Sequence, residues 1–124
     1  MMINKILIAF AIFTLPVISF SQDTTDTDNY QYFVVQYTLG ENWDTTKQTH
    51  EQRFFNDHST HLSELRKSGK ISLGGFYGET GMIIIKVKNE KEAQEIISKD
   101  PSVQNKIFNT KIFLFDPFYS GCIE

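Results

Sequence analysis

The chain has 124 residues and a formal net charge of −3 at neutral pH, and 40% of its residues are hydrophobic. These values fit one small globular domain and exclude the strongly basic surface that nucleic-acid binding requires. Eleven Phe and five Tyr are enough to fill a core and to leave aromatic surface for a partner or a ligand.

Residues 1–21 show the three-part pattern of a cleaved export signal. Lys5 supplies a positive start, an apolar run extends from Ile6 to Phe20, and small residues frame a cleavage site after Ser21. The run is short for a membrane span, although an uncleaved membrane anchor is the alternative. We therefore expect a bacterial protein that is exported to the periplasm or secreted, without membrane attachment once the signal is removed.

A polar and acidic leader, residues 22–29, follows the signal and should be solvated because it has no large apolar side chain. The folded domain should then span residues 30–124. Its single cysteine, Cys122, excludes an internal disulfide and a thiolate zinc site. A free thiol near the chain end is the simplest interpretation of Cys122, and an intermolecular bridge is the alternative.

The first predicted strand, Tyr32–Leu39, is rich in β-branched and aromatic residues, and Gly40 should end it. Alternation gives this strand one mixed face and one apolar face. The apolar face consists of Phe33, Val35, Tyr37 and Leu39. A loop containing Trp43 follows, and Asp44 is the predicted N-cap of a long helix over Gln48–Lys67.

The long helix should carry one apolar stripe. Its members are spaced by three, four and three residues, which places them on one side of a helix. They are Phe55, His58, Leu62 and Leu65. His58 therefore lies in the middle of an apolar row and faces whatever the helix covers. Gly69 is the predicted end of this helix.

Three further strands and a second helix are predicted in the rest of the domain. Their bounds are Ile71–Tyr77, Met82–Val87, a helix capped by Asn89 and stopped by Pro101, and Lys111–Phe115. The two glycines at 74 and 75 predict a bulge or a close backbone approach inside the second strand. The apolar run at residues 82–85 predicts a third strand that is covered on both faces.

The element order β-α-β-β-α-β predicts an α+β, ferredoxin-like fold, in which two helices cover one face of an antiparallel sheet. The opposite face of that sheet would carry apolar side chains, including Val34 and Tyr32. An apolar sheet face needs cover, and a second copy of the chain is the simplest one. We therefore expect a homodimer.

Several short motifs follow one another along residues 32–118. They are His58 eleven residues before Gly69, the run Gly69-Lys70-Ile71, the run Gly74-Gly75-Phe76, the pair Glu92-Ala93, the pair Asp100-Pro101 and the pair Pro117-Phe118. In order and spacing, this part of the chain resembles the YCII-related family of small dimeric α+β barrels. Phe76 stands where that family often has proline, and most of its members are cytoplasmic and lack an export signal.

The resemblance implies a ligand pocket between sheet and helices, and a histidine–aspartate pair that acts as acid and base. By position, these catalytic candidates are His58 and Asp100. The family is similar to muconolactone isomerases, and it includes lyase-type activity on hydroxylated aromatic compounds. For this chain, the resemblance implies a small-molecule substrate and no cofactor.

The residues by themselves leave two roles open for each member of this pair. Imidazole has an ordinary pKa near neutrality and can take and return a proton, yet a buried histidine is often a satisfied core residue. A carboxylate beside His58 would fix its tautomer. Asp100 precedes a proline at a helix end, and a purely structural role in organising that turn would also explain its presence.

Candidate ligand-contacting residues are the aromatic Tyr37, Trp43 and Phe76, together with Gly75 as a position of close backbone approach. Core packing and dimer burial are the alternative uses of these rings. His61 lies three residues after His58 and His50 eight before it, but no carboxylate or cysteine completes a ligand set, so we predict no metal site.

Two functions follow from this sequence. The first is a cofactor-independent lyase or isomerase, in which His58 moves a proton on a small hydroxylated or carbonyl compound and Asp100 assists. The alternative is a non-catalytic module for small-ligand binding or dimerisation, in which His58 is structural. The enzyme requires His58 to reach an open cavity with a carboxylate behind it, whereas the module allows a sealed His58.

Overall fold

The computed structural model describes residues 29–119 and residue 121. The predicted signal peptide, residues 22–28 of the predicted leader, and Cys122 lie outside the described residues. The described chain is an α+β domain in which helices pack on a four-stranded antiparallel sheet, as a ferredoxin-like fold requires. The elements are β1 (Gln31–Leu39), α1 (Phe55–Lys67), β2 (Ile71–Tyr77), β3 (Thr80–Val87), α2 (Glu90–Ser98), α3 (Pro101–Gln104) and β4 (Phe108–Phe115).

The sheet has the strand order β2-β3-β1-β4, and every neighbouring pair is antiparallel. Its inner face, on the side of the helices, carries the core because alternate side chains of β1 and β3 point toward α2 and α1. The buried core residues are Phe33, Val35, Tyr37, Ile83, Ile85, Val87, Ala93 and Ile97. The predicted apolar face of β1 is confirmed except for Leu39, which is 58% exposed.

The opposite, outer face of the sheet carries a row of apolar side chains that crosses all four strands. Leu73 of β2 pairs with Ile84 of β3, Ile84 with Val34 of β1, and Val34 with Phe113 of β4. Because paired residues point to the same side of a sheet, these four side chains form one continuous apolar row. Phe113 is 51% exposed and Leu73 39%.

The predicted long helix is wrong at its beginning, because α1 starts at Phe55 rather than at Gln48. Residues 49–51 form a short 3-10 turn, and Phe54 has a left-handed backbone with a φ of 63°. A residue in that conformation cannot lie inside a right-handed helix. Asp44 is likewise no N-cap of α1: its carboxylate accepts hydrogen bonds from the backbone and hydroxyl of Thr46, two residues away.

The end of α1 agrees with the prediction. Gly69 has a φ of 75°. Its N–H donates to the carbonyl of Arg66, and the N–H of Lys70 donates to that of Leu65. These two bonds are the Schellman arrangement, which satisfies the last helical carbonyls and favours glycine at the left-handed position.

The hairpin of β2 and β3 is longer than predicted, and the irregularity in its strand pairing does not lie at the two glycines. Strand β2 has the predicted bounds, but Tyr77 already pairs with Thr80, so the turn has two residues. The register shift lies between Ile71 and Leu73. The predicted bulge at the two glycines is wrong, since both pair regularly with β3. The run at residues 82–85 is covered as predicted: residues 83–85 are buried and Met82 is half-buried.

The second crossover ends differently from the prediction. Pro101 does not merely stop α2; it is the first residue of α3, where its missing N–H costs nothing. Asp100 is the N-cap of α3. The last strand begins at Phe108, three residues earlier than predicted. Within residues 29–119, no helix combines the length and apolarity needed to span a membrane.

Candidate active site

The structure brings His58 and Asp100 into contact, although they are 42 residues apart in the sequence. Nδ1 of His58 lies 2.5 Å from Oδ2 of Asp100, and Nδ1 is therefore the nitrogen that donates to the carboxylate. His58 lies in the first turns of α1, and Asp100 lies at the start of α3, which packs against α1. A bond of this kind fixes the tautomer of the ring and stabilises its cation.

The carboxylate of Asp100 is fully buried and holds the histidine in a fixed position. Its second oxygen, Oδ1, accepts hydrogen bonds from the backbone N–H of Ser102 at 2.9 Å and from its hydroxyl at 2.7 Å. Burial would raise the pKa of Asp100, but the hydrogen bonds from His58 and Ser102 outweigh it and leave that pKa below its ordinary value. Asp100 is thus an anion at neutral pH.

The other ring nitrogen of His58, Nε2, points away from the carboxylate. It has no hydrogen-bond partner among residues 29–119. It is nevertheless absent from the buried atoms of that region that lack a partner, so it retains some access to solvent. His58 is 9% exposed and lines a cavity of about 360 Å³. The side chain that can exchange a proton therefore borders a space that a small molecule can enter.

Glycines on the inner face of the sheet help to make room for this cavity. Gly81 lies opposite Tyr37 on one side and Phe76 on the other, and Gly74 lies opposite Ile83. A Cβ atom at Gly81 would lie 3.5 Å from the Phe76 ring. Because these positions carry no side chain, the sheet surface beneath the first turns of α1 is left uncovered.

The cavity is lined mainly by aromatic and aliphatic side chains. Its walls are formed by Tyr37, Leu39, Trp43, Phe55, Leu62, Phe76, Met82, Ile83 and Phe108. The Phe108 ring centroid lies 4.9 Å from that of His58 and 5.6 Å from that of Trp43. A flat ligand would meet rings on several sides while remaining within reach of the histidine.

All four predicted ligand-contacting residues line the cavity together with His58: they are Tyr37, Trp43, Gly75 and Phe76. Other residues of this site are not predicted from the sequence, and three of them are Phe108 and Glu79 in the lining and Ser102 behind Asp100. The local patterns put Phe108 before the last strand, Glu79 in a turn and Ser102 in a linker. The order Asp-Pro-Ser is an available signal for Ser102, because an N-cap followed by proline predicts a short helix whose first N–H groups bind the cap.

Tyr37 combines burial with an unpartnered hydroxyl. It is 6% exposed, and its hydroxyl has no hydrogen-bond partner among the described residues. Burial, and secondarily the negative charge of Asp100, raises the pKa of Tyr37 well above its ordinary value. The phenol therefore remains a proton-bearing, uncharged group at every pH at which the protein is expected to work.

The other two histidines stand apart from this arrangement. The prediction that His50 shares a helix with His58 is wrong, because His50 is exposed and lies in the 3-10 turn before α1. His61 is half-buried rather than a plain surface residue, and its Nε2 is sealed without a partner in the described region. Across residues 29–119, no three His, Cys, Asp or Glu side chains converge as metal ligands do.

Comparison with models of known protein families gave no match, and neither the curated proteins nor the solved structures gave one. The resemblance to YCII-related proteins therefore remains a prediction from the sequence. Support for a function comes instead from the His58–Asp100 pair and the cavity that it faces.

Proposed function

We propose that this protein is an exported, YCII-like lyase or isomerase that works without a cofactor on a small hydroxylated or carbonyl compound. His58 is the acid and base that touches the substrate, and Asp100 is the positioning residue behind it. The observation that supports this proposal is the hydrogen bond from Nδ1 to a buried carboxylate, combined with an unpartnered Nε2 at an open cavity.

The geometry supports a two-step proton transfer. Neutral His58 removes a proton from an acidic C–H or O–H of the substrate through Nε2, and the imidazolium that forms is stabilised by the Asp100 anion. The same proton is then returned, to a second carbon in an isomerisation or to the departing group in a lyase reaction. Ser102 holds Oδ1 of Asp100, so the carboxylate cannot rotate away between the two steps.

Proton exchange tests this proposal without knowledge of the natural substrate. Incubated in D₂O with a panel of enolisable ring ketones and hydroxylated aromatics, the protein should exchange an acidic C–H for deuterium in at least one compound. His58→Gln should slow that exchange by about 10²- to 10⁴-fold, the usual contribution of general acid–base catalysis. Proton NMR measures the exchange rate directly.

His61→Gln is the matched control, because it changes another histidine of α1 that does not line the cavity. The control should exchange like the wild type. If His58→Gln and the wild type exchange every panel compound at the same rate, His58 is not the catalytic residue.

The alternative function rests on the packing of the same histidine. The His58 ring lies 5.3 Å from the Tyr37 ring and 4.9 Å from the Phe108 ring, measured between centroids, and it is mostly buried. In a non-catalytic ligand-binding or dimerisation module, these contacts would make His58 structural. His58→Gln would then lower the stability of the fold, and no panel compound would exchange in the wild type.

The proposal includes a homodimer that forms through the outer face of the sheet. This support comes from the apolar row of Val34, Leu73, Ile84 and Phe113, which has two members exposed at its ends. Exposed apolar side chains in a contiguous row favour association between proteins. Export to the periplasm or the medium is proposed from the pattern of residues 1–21 alone.

A further inference from the structure

The net charge around the cavity is negative. Glu79 is the only formally charged side chain among its fifteen lining residues in the described chain, and these include no lysine and no arginine. A second carboxylate, that of Asp100, lies directly behind His58. The local charge is therefore negative whether His58 is neutral or protonated.

Glu79 is placed at the mouth of the cavity by the hairpin that carries it. It is the second residue of the two-residue turn between β2 and β3, after Gly78, whose φ of 59° suits the first position of such a turn. The Glu79 side chain is exposed, and within the described chain it has no hydrogen bond or ion pair. Its charge is thus available to a ligand that enters the cavity.

The walls of the cavity favour the same kind of ligand as this charge does. The faces of aromatic rings carry negative electrostatic potential and attract cations, most strongly at tryptophan. Five rings besides His58 line the space: those of Tyr37, Trp43, Phe55, Phe76 and Phe108. Phe76 is 83% exposed, so a bound ligand would also cover an aromatic side chain that now faces solvent.

We infer that the cavity selects a small organic cation, such as a ring compound with a quaternary or protonated amine, and rejects aromatic acids. The cationic group would lie among the aromatic rings near Glu79, and the reacting part of the molecule would face Nε2 of His58. This inference rests on the proposed use of the cavity as the substrate site. It narrows the substrate from a hydroxylated or carbonyl compound to one that also bears a positive charge.

The rejection of acids follows from the absence of a lysine or an arginine among the described lining residues. A carboxylate that enters an apolar space loses its water, and the lost hydration is recovered only through a basic group or several hydrogen-bond donors. Among the described lining residues His58 is the only basic group, and the Asp100 carboxylate behind it already compensates the charge that it gains on protonation. Glu79 and Asp100 would in addition repel the anion, an effect that salt weakens at the exposed Glu79.

Equilibrium binding of three matched ring compounds tests the inference. Benzyltrimethylammonium, benzyl alcohol and benzoate should bind the full mature chain in that order, with about tenfold between neighbours, as a cation–π cage combined with one nearby carboxylate predicts. Two-dimensional NMR of the labelled protein gives each dissociation constant and shows whether shifts occur at cavity residues.

Variants at Glu79 separate the role of charge from that of shape. Glu79→Gln should weaken benzyltrimethylammonium by roughly three- to tenfold and leave benzyl alcohol unchanged, and Glu79→Lys should strengthen benzoate. Glu95→Gln, which removes an exposed carboxylate on α2 away from the cavity, is the matched control and should leave all three unchanged. Glu79 lies in an exposed turn, so these variants should fold.

Three results would overturn the inference: benzoate binding as tightly as the cation, a cation affinity that does not respond to Glu79→Gln, or no binding of any compound at the cavity. Because binding is measured without turnover, the first two results leave the proton-exchange proposal standing. The third would overturn the inference, and the proton-exchange experiment would then decide the catalytic proposal by itself. Conversely, unchanged exchange in His58→Gln with the expected ligand order would overturn the catalytic proposal alone.

Discussion

At the scale of single residues, Asp100 shows that two interpretations of one carboxylate can both hold. The sequence suggests either a catalytic partner of His58 or an organiser of the turn before proline. In the structure the two oxygens divide these roles, since Oδ1 caps α3 through Ser102 and Oδ2 accepts the hydrogen bond from Nδ1 of His58. The capping bonds fix the carboxylate, and a fixed carboxylate is what orients an imidazole ring.

The lowered pKa of Asp100 predicts how stability depends on pH. A carboxyl group that is more acidic in the folded state stabilises the fold above its ordinary pKa of about 3.9, and this contribution disappears as the pH falls through the lower folded value. Asp100→Asn lacks the contribution. We therefore expect the stability advantage of the wild type over Asp100→Asn to shrink as the pH falls below about 4.

Urea unfolding of both proteins at several pH values between 7 and 3 measures this difference. Near neutrality, Asp100→Asn should be less stable by about 1–3 kcal/mol, since a buried charge-assisted hydrogen bond is weakened. Asp57→Asn, at an exposed position of α1, controls for the loss of a carboxylate. Parallel pH profiles for the wild type and Asp100→Asn would contradict this account of the pair.

At the scale of elements, the segment between β1 and α1 determines where Trp43 lies. The buried side chain of Gln52 accepts from the backbone N–H of Asp44 and donates to the carbonyls of Asp44 and Lys47. These three bonds fold residues 44–52 into a compact loop that holds Trp43 at the cavity wall. A helix that began at Gln48 would remove this loop. The prediction of a long helix therefore gave no role to the Gln52 side chain.

Gly40, at the start of this loop, is constrained by a close approach of two backbones. Its N–H donates to the carbonyl of Ile107, and a Cβ atom there would lie 2.0 Å from the carbonyl oxygen of Lys106. Gly40→Ala should therefore destabilise the fold by about 2–4 kcal/mol, since backbone atoms would have to move. Thermal and urea unfolding measure the loss.

Gly75→Ala is the matched control for this prediction. Gly75 lies within the sheet and pairs with Met82, but a Cβ atom there would meet nothing within 4 Å. The stability of this variant should therefore differ from that of the wild type by less than about 1 kcal/mol. Equal effects of the two substitutions would show that the contact at Gly40 relaxes without cost.

At the scale of the whole molecule, the topology explains how distant residues meet. The connection from β1 to β2 carries His58, and the connection from β3 to β4 carries Asp100. In this strand order each connection crosses one strand, and crossovers of one hand place their helices on the same face of the sheet. The two connections thus lie side by side, and the pair forms where α1 contacts α3.

The outer face of the sheet gives a prediction about assembly. If the apolar row is the dimer interface, Phe113→Lys should convert a dimer into a monomer, because it places a charge on apolar surface that the interface would bury. Leu114→Lys changes the next residue of β4, whose side chain points to the opposite face and is 61% exposed. That control should remain dimeric.

Sedimentation equilibrium of the mature chain at micromolar concentrations measures the assembly state. A wild-type monomer under these conditions, or a Phe113→Lys variant that stays dimeric, would contradict the proposed interface. The first result would leave the apolar row to another partner, and the second would place the dimer contact elsewhere on the chain.

The sequence by itself determined the order of the four strands and two main helices and most of the core of this protein. Alternation at residues 32–39, the 3.6-residue spacing around His58 and the glycine at 69 are local signals, and each reports a backbone preference that acts over a few residues. The fold class follows from the order of those elements. Spacing alone is enough to place His58 on the inner side of its helix.

Only the tertiary structure decided what His58 faces. The 2.5 Å contact with Asp100, the ring of Phe108 beside it and the negative charge of Glu79 at the cavity mouth all join segments far apart in the chain. Such contacts depend on how the two crossovers pack across the sheet, and no local pattern encodes that packing. The left-handed backbone of Phe54 could not be predicted from the sequence for a related reason. The surrounding loop imposes this conformation on Phe54 against the intrinsic preference of the residue.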